Sequence, residues 1–188
     1  IDVAEWEAGL DKKLGPAARA YAYYHFIVLS DEPVFDRVIS AGLDGVKKFV
    51  VVRLFGQIIR AGIRFGLKLK PDRIERSRET IDEWMEKITL RLEQVSSTTG
   101  VDITKVFLGG TSRPTLVDIS VSAILYPVIF PPEMQWVVSF TEPGISPEYM
   151  QAIERWRSTP AGQFVLRMYR DHRPSSLPSA STKAVPAR

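Results

Sequence analysis

A chain of 188 residues, with 45% hydrophobic and 25% charged positions, has the balance of one globular domain able to bury a core. Twenty-five basic against 22 acidic residues leave a net charge of +3, too small to argue for nucleic-acid binding, and the lack of cysteine excludes disulfides and thiolate chemistry. With only His25 and His172 as imidazoles, far apart in sequence, no metal site is expected.

Asp2 and Glu5 have capping-box spacing, flanked by Ile1 and Trp6, so a helix is expected to start here. Val3, Trp6, Leu10 and Leu14 continue it at helical intervals. The opening five residues are acidic where a targeting segment would be basic, and the first residue is not Met, which suggests a processed or partial chain. Gly15-Pro16 is expected to break this helix and begin a second, because proline lacks a donor and suits a first turn. That second helix should run to about Leu29 and carries Tyr21, Tyr23, Tyr24, His25 and Phe26.

Phe35, Val38, Ile39 and Leu43 predict a short helix closed by Gly45. Residues 46–70 are apolar with basic interruptions and contain no acid; Arg53, Gln57, Arg60, Arg64 and Lys68 recur at steps of three or four, on one helical face. Pro71-Asp72 opens the clearest helix, with Ile74, Ile81, Trp84, Met85, Ile88, Leu92 and Val95 as its apolar stripe and Glu83 and Lys87 as a supporting pair on the wet side. After a turn-rich loop over residues 96–100, the almost wholly apolar residues 116–128 are too short to cross a bilayer and read as a buried central helix. Ser146-Pro147 and Thr159-Pro160 each pair a cap with a first-turn proline, opening two further helices. Residues 174–188 have the Pro, Ser and Ala content of a tail. No strand pattern is visible, so the expected class is all-α.

Phe107-Leu108-Gly109-Gly110 is followed by Pro114-Thr115-Leu116-Val117-Asp118-Ile119, in which Thr115 and Asp118 have capping-box spacing at the start of the central helix. Trp6, Leu10-Asp11, Leu14-Gly15-Pro16, Tyr21 and Tyr24-His25 form a second group; Thr159-Pro160-Ala161-Gly162 with Phe164 and the run from Leu166 to Arg173 forms a third. In their order and spacing these three stretches resemble the C-terminal domain of the glutathione transferase family, although Val117 stands where that family has a small Ala. The resemblance covers residues 1–173 and implies an orthogonal helical bundle of that domain's type, with 174–188 as an appended tail.

In that family a thioredoxin-like domain supplies most glutathione contacts and the activating side chain, while the helical domain forms one wall of the hydrophobic co-substrate pocket. No βαβ unit or glutathione-anchoring cis-Pro motif is legible in this sequence. The resemblance therefore implies a chain not catalytic alone, with glutathione a cofactor only where a thioredoxin-like domain is supplied elsewhere. Tyr21, Tyr24 and His25 fall where the pocket's helical wall would be, to orient an electrophile or donate a proton; the alternative is aromatic core. Thr115 and Asp118 are expected to be structural. Arg53, Arg60, Arg64 and Lys68 mark a surface for a protein partner or a membrane interface. The competing functional expectation is a non-catalytic interaction subunit of a larger, membrane-associated complex, or a homodimer. The compartment is left open between cytoplasm, organelle matrix and membrane periphery.

Overall fold

The computed structural model describes residues 2–40, 43–134 and 144–173, so the tail expected over 174–188 lies outside the described residues. Among the described residues there are seven helical rods and no strand. Helix α1 covers residues 3–28 and alternates α segments, Val3–Gly9 and Gly15–Tyr23, with π turns, Leu10–Leu14 and Tyr24–Val28. Asp2 caps it, its carboxylate accepting from Ala4 N at 3.0 Å and Glu5 N at 3.2 Å.

The break expected at Gly15-Pro16 does not occur. Leu14 (φ −66°, ψ −45°) and Gly15 (φ −60°, ψ −50°) keep helical angles, and Gly15 N bonds to Leu10 O, five residues back. A proline ring in a helix normally collides with the carbonyl four residues earlier. The wider turn just ahead of Pro16 makes room for it, and the helix runs on.

Helix α2 is Glu32–Ile39, and α3 covers residues 45–66, with a π turn at Val51–Phe55 between Gly45–Val50 and Gly56–Gly66. Gly45, expected to close a helix, instead opens α3 at φ +52°, a left-handed backbone that glycine adopts without penalty. Helix α4 is Pro71–Thr99, α5 Leu116–Ile129, α6 Pro147–Arg157 and α7 Pro160–His172, with a 3₁₀ turn at Pro132–Met134. All seven apolar positions expected to face inward from α4 are buried, joined by Ser77, whose hydroxyl donates to Arg73 O at 2.9 Å.

Helix α1 lies against α4 and α5; α5 also meets α6 and α7, and α7 returns to α4. The core where these five meet is built from Leu14, Tyr21, Ile81, Ile88, Leu125, Ile153, Trp156 and Val165, each at most 1% exposed. Each such side chain contributes about 1.5–3 kcal/mol by leaving water. Helix α5 is central but not wholly enclosed: Val117, Val121, Leu125 and Val128 face inward, while Leu116 and Ile119 are more than half exposed. Helix α3 stands at the edge, against α2 and the last π turn of α1.

Candidate functional site

The start of α5 is organised by one buried carboxylate. Asp118 has no solvent exposure; its Oδ2 accepts from Thr115 N at 2.7 Å and from the Thr115 hydroxyl at 2.5 Å, and its Oδ1 accepts from Leu108 N at 2.6 Å. Thr115 and Asp118 thus form the expected capping box, and Asp118 also holds the preceding loop. A side chain at Gly109 would stand 2.6 Å from Thr115 Cγ2, so the loop comes this close only with glycine there. Arg91 Nε secures the same loop by donating to Leu108 O at 2.9 Å.

Tyr21 and His25 do meet, on the inner side of α1, where α6 contributes Tyr149 and Trp156. The His25 ring stacks on Tyr149 with centroids 5.0 Å apart and planes 8° from parallel, and Tyr21 lies 4.5 Å from His25 and 5.3 Å from Trp156. His25 Nδ1 is hydrogen-bonded to Ser146 Oγ at 2.8 Å, and the same Ser146 oxygen accepts from Tyr149 N to cap α6. The Tyr149 hydroxyl donates to Pro127 O, a carbonyl inside α5. His25 Nε2 and the Tyr21 hydroxyl are buried without a hydrogen-bond partner.

Burial sets the charge state of this cluster. Desolvation lowers His25 from its ordinary 6.5 to about 4, so the imidazole is neutral at physiological pH. Burial, assisted by Glu148 and opposed by Arg78 and Arg155, pushes Tyr21 up to about 12. Tyr149 is raised too, mainly by burial. Tyr21 and His25 are at most 1% exposed, whereas Tyr24 is half-buried with its ring edge-on to His25 at 5.4 Å. Of the three residues singled out for a substrate wall, Tyr24 has the access to solvent.

A second polar centre had no sequence signal of its own. Asp82 on α4 accepts from Trp156 Nε1 at 2.6 Å and from Arg155 at 2.8 Å, and pairs with Arg78 at 2.9 Å, joining α4 to α6. Lys87, expected beside Glu83, lies over the rings of Trp6 at 4.8 Å and Trp84 at 4.7 Å. Trp6 and Lys87 border an open groove whose other lining residues are Glu83, Glu86, Leu90, Arg91 and Gln94. Arg167 donates to the carbonyls of Thr104 and Val106 and ties that loop to α7.

The basic positions expected on one helical face separate into two kinds, and Lys68 lies past the end of α3, in the turn that follows it. Arg53, Arg64 and Lys68 are exposed. Arg60 turns inward, donating from Nη2 to Ser30 O at 3.1 Å with its guanidinium 4.2 Å above the Phe35 ring. Among the described residues, no helix is long and apolar enough to cross a membrane, and no group of three or more His, Asp or Glu side chains could hold a metal ion. Comparison with protein-family models, curated proteins and solved structures finds no match for this chain.

Proposed function

We propose that this chain is the helical domain of a glutathione-transferase-like protein, forming the wall against which a hydrophobic co-substrate rests while a thioredoxin-like domain binds and activates glutathione. The observation that supports the reading is the Asp118 carboxylate, which joins the Leu108 loop to the Thr115 helix start through one buried side chain. These are the two halves of the motif on which the resemblance rests. In this reading Tyr24 faces the co-substrate, and Tyr21 and His25 stiffen the wall from behind. Their burial agrees with a supporting role, because a neutral imidazole in a dry aromatic enclosure has no route to exchange protons with a bound electrophile.

The test is a backbone amide NMR titration with glutathione and, separately, with S-hexylglutathione, run beside a conjugation assay on 1-chloro-2,4-dinitrobenzene. The expected result is shifts around Tyr24 with the hexyl compound, none with glutathione, and no conjugation above the uncatalysed rate. Turnover by the chain alone would overturn the division of labour. Absence of any shift with the hexyl compound would overturn the wall.

A further inference from the structure

Helix α3 has two apolar faces. One, formed by Gly56, Ile59 and Ile63 and continued by Leu67 just past the helix end, turns toward the body, with Gly56 buried beside Phe35 and Ile39. The other points away from it. Leu54, Ile58 and Phe65 recur at helical spacing and are 63%, 65% and 79% exposed, with Gly62 between them and nothing within 4 Å of where its Cβ would be. Val46 and Phe49, 78% and 62% exposed, extend the apolar surface along the first turns of the helix. Large exposed side chains scattered singly need no explanation, but a contiguous row on one helix does.

The charge on this helix is one-sided. Between Gly45 and Lys70 there is no acidic residue, and there are seven basic ones. Arg53 and Arg64 run along the flank of the outward row, and Lys47 and Lys48 flank its first turn; all four are exposed. Any surface that covers the row must therefore be apolar at its centre and negative around it. Among the described residues the rod packs along the opposite side, against α2 and the last π turn of α1, and Phe49 and Phe65 lie toward the two ends of the outward row. Long basic side chains beside such a row keep their stems in an apolar layer and their charges among headgroups.

We propose that α3 is an in-plane membrane anchor, its outward row entering the acyl boundary of a leaflet rich in anionic lipid while Lys47, Lys48, Arg53 and Arg64 engage headgroup phosphates and carboxylates. At 1.5 Å per residue the rod is about 33 Å long, and it lies along the surface rather than through it. This attachment does not depend on the transferase-like reading, and either can fail while the other stands.

The experiment is co-sedimentation of the full chain with vesicles of phosphatidylcholine alone and of phosphatidylcholine mixed with phosphatidylserine. The expected result is binding to the mixed vesicles only, weakening as salt is raised. The double variant Ile58→Glu/Phe65→Glu alters only exposed positions, so its circular dichroism and melting should match the parent, and it should lose vesicle binding. Arg53→Glu/Arg64→Glu should weaken binding at least about tenfold. Failure of the parent chain to bind mixed vesicles would overturn the proposal, as would equal binding by the Ile58/Phe65 variant. If light scattering instead shows a dimer that this variant dissolves, with no vesicle binding, the row is a protein interface and the membrane assignment falls.

Discussion

Asp118 is a carboxylate without solvent, and it serves two backbone donors, one fully buried at Leu108 and one part-buried at Thr115. Removing it in Asp118→Ala leaves Leu108 N unpaired, at about 1–3 kcal/mol for a buried orphan, and costs less at the part-buried Thr115 N. We expect a loss of about 2–4 kcal/mol in urea unfolding, with Asp118→Asn intermediate because its amide oxygen still accepts. A loss below about 1 kcal/mol would mean that water replaces the carboxylate. Half of this arrangement was legible in the sequence, since Thr115 and Asp118 stand at the spacing of a helix cap. The bond to Leu108 was not, because it spans ten residues of irregular loop and has no period to reveal it. Likewise the run from Tyr21 to Phe26 announced an aromatic cluster, but nothing in it pointed to Tyr149 and Ser146, more than a hundred residues away.

At the scale of the element, periodicity named the inward positions of α4, and Trp6, Leu10 and Leu14 of α1, correctly; it misplaced Arg60 of α3, and the proline rule misplaced the end of the first helix. Both α1 and α3 contain π turns, which shift the apolar pattern out of the 3.6-residue repeat and let helix continue where Pro16 suggested an end. Packing between elements also decides which glycines matter. A methyl on Gly162 would stand 2.1 Å from Trp156 O, at the tight junction of α6 and α7, whereas Gly62 on α3 has open space around it. Gly162→Ala should therefore destabilise by about 3 kcal/mol through overpacking against rigid backbone. Gly62→Ala should stabilise by about 0.5–1 kcal/mol through helix propensity alone. Thermal melting of the two variants checks the contrast, and equal melting points would refute the crowded junction.

At the scale of the whole molecule, the buried imidazole couples folding to acid. His25 in the fold has a value of about 4, below its ordinary 6.5, so the unfolded chain takes up the proton first as pH falls. Above about 6.5 both states are neutral and this group adds no pH dependence. Between 6.5 and 4 stability drops with falling pH by about 1.4 kcal/mol per unit, roughly 3 kcal/mol in all, and below 4 this contribution levels off. Urea unfolding across that range should show the slope, and His25→Gln should flatten it while being less stable at neutral pH. An unchanged slope in that variant would assign the acid sensitivity to groups other than His25. Tertiary burial of this kind is invisible in a linear sequence, where His25 looks as available as Tyr24.

The π turns have a consequence for reading this chain beside others. A ring closed five residues back takes in one residue more than one closed four back, while the side chains on either side keep their bearings. At residues 10–14, 24–28 and 51–55 the chain thus holds a supernumerary position that a straight α-helical counterpart would do without. Correct superposition of this chain on such a counterpart requires a one-residue gap within each of those three turns. Without each gap, the pairing downstream within that helix slips by one residue, about 100° around its axis, and its inward positions fall out of line with those of the counterpart.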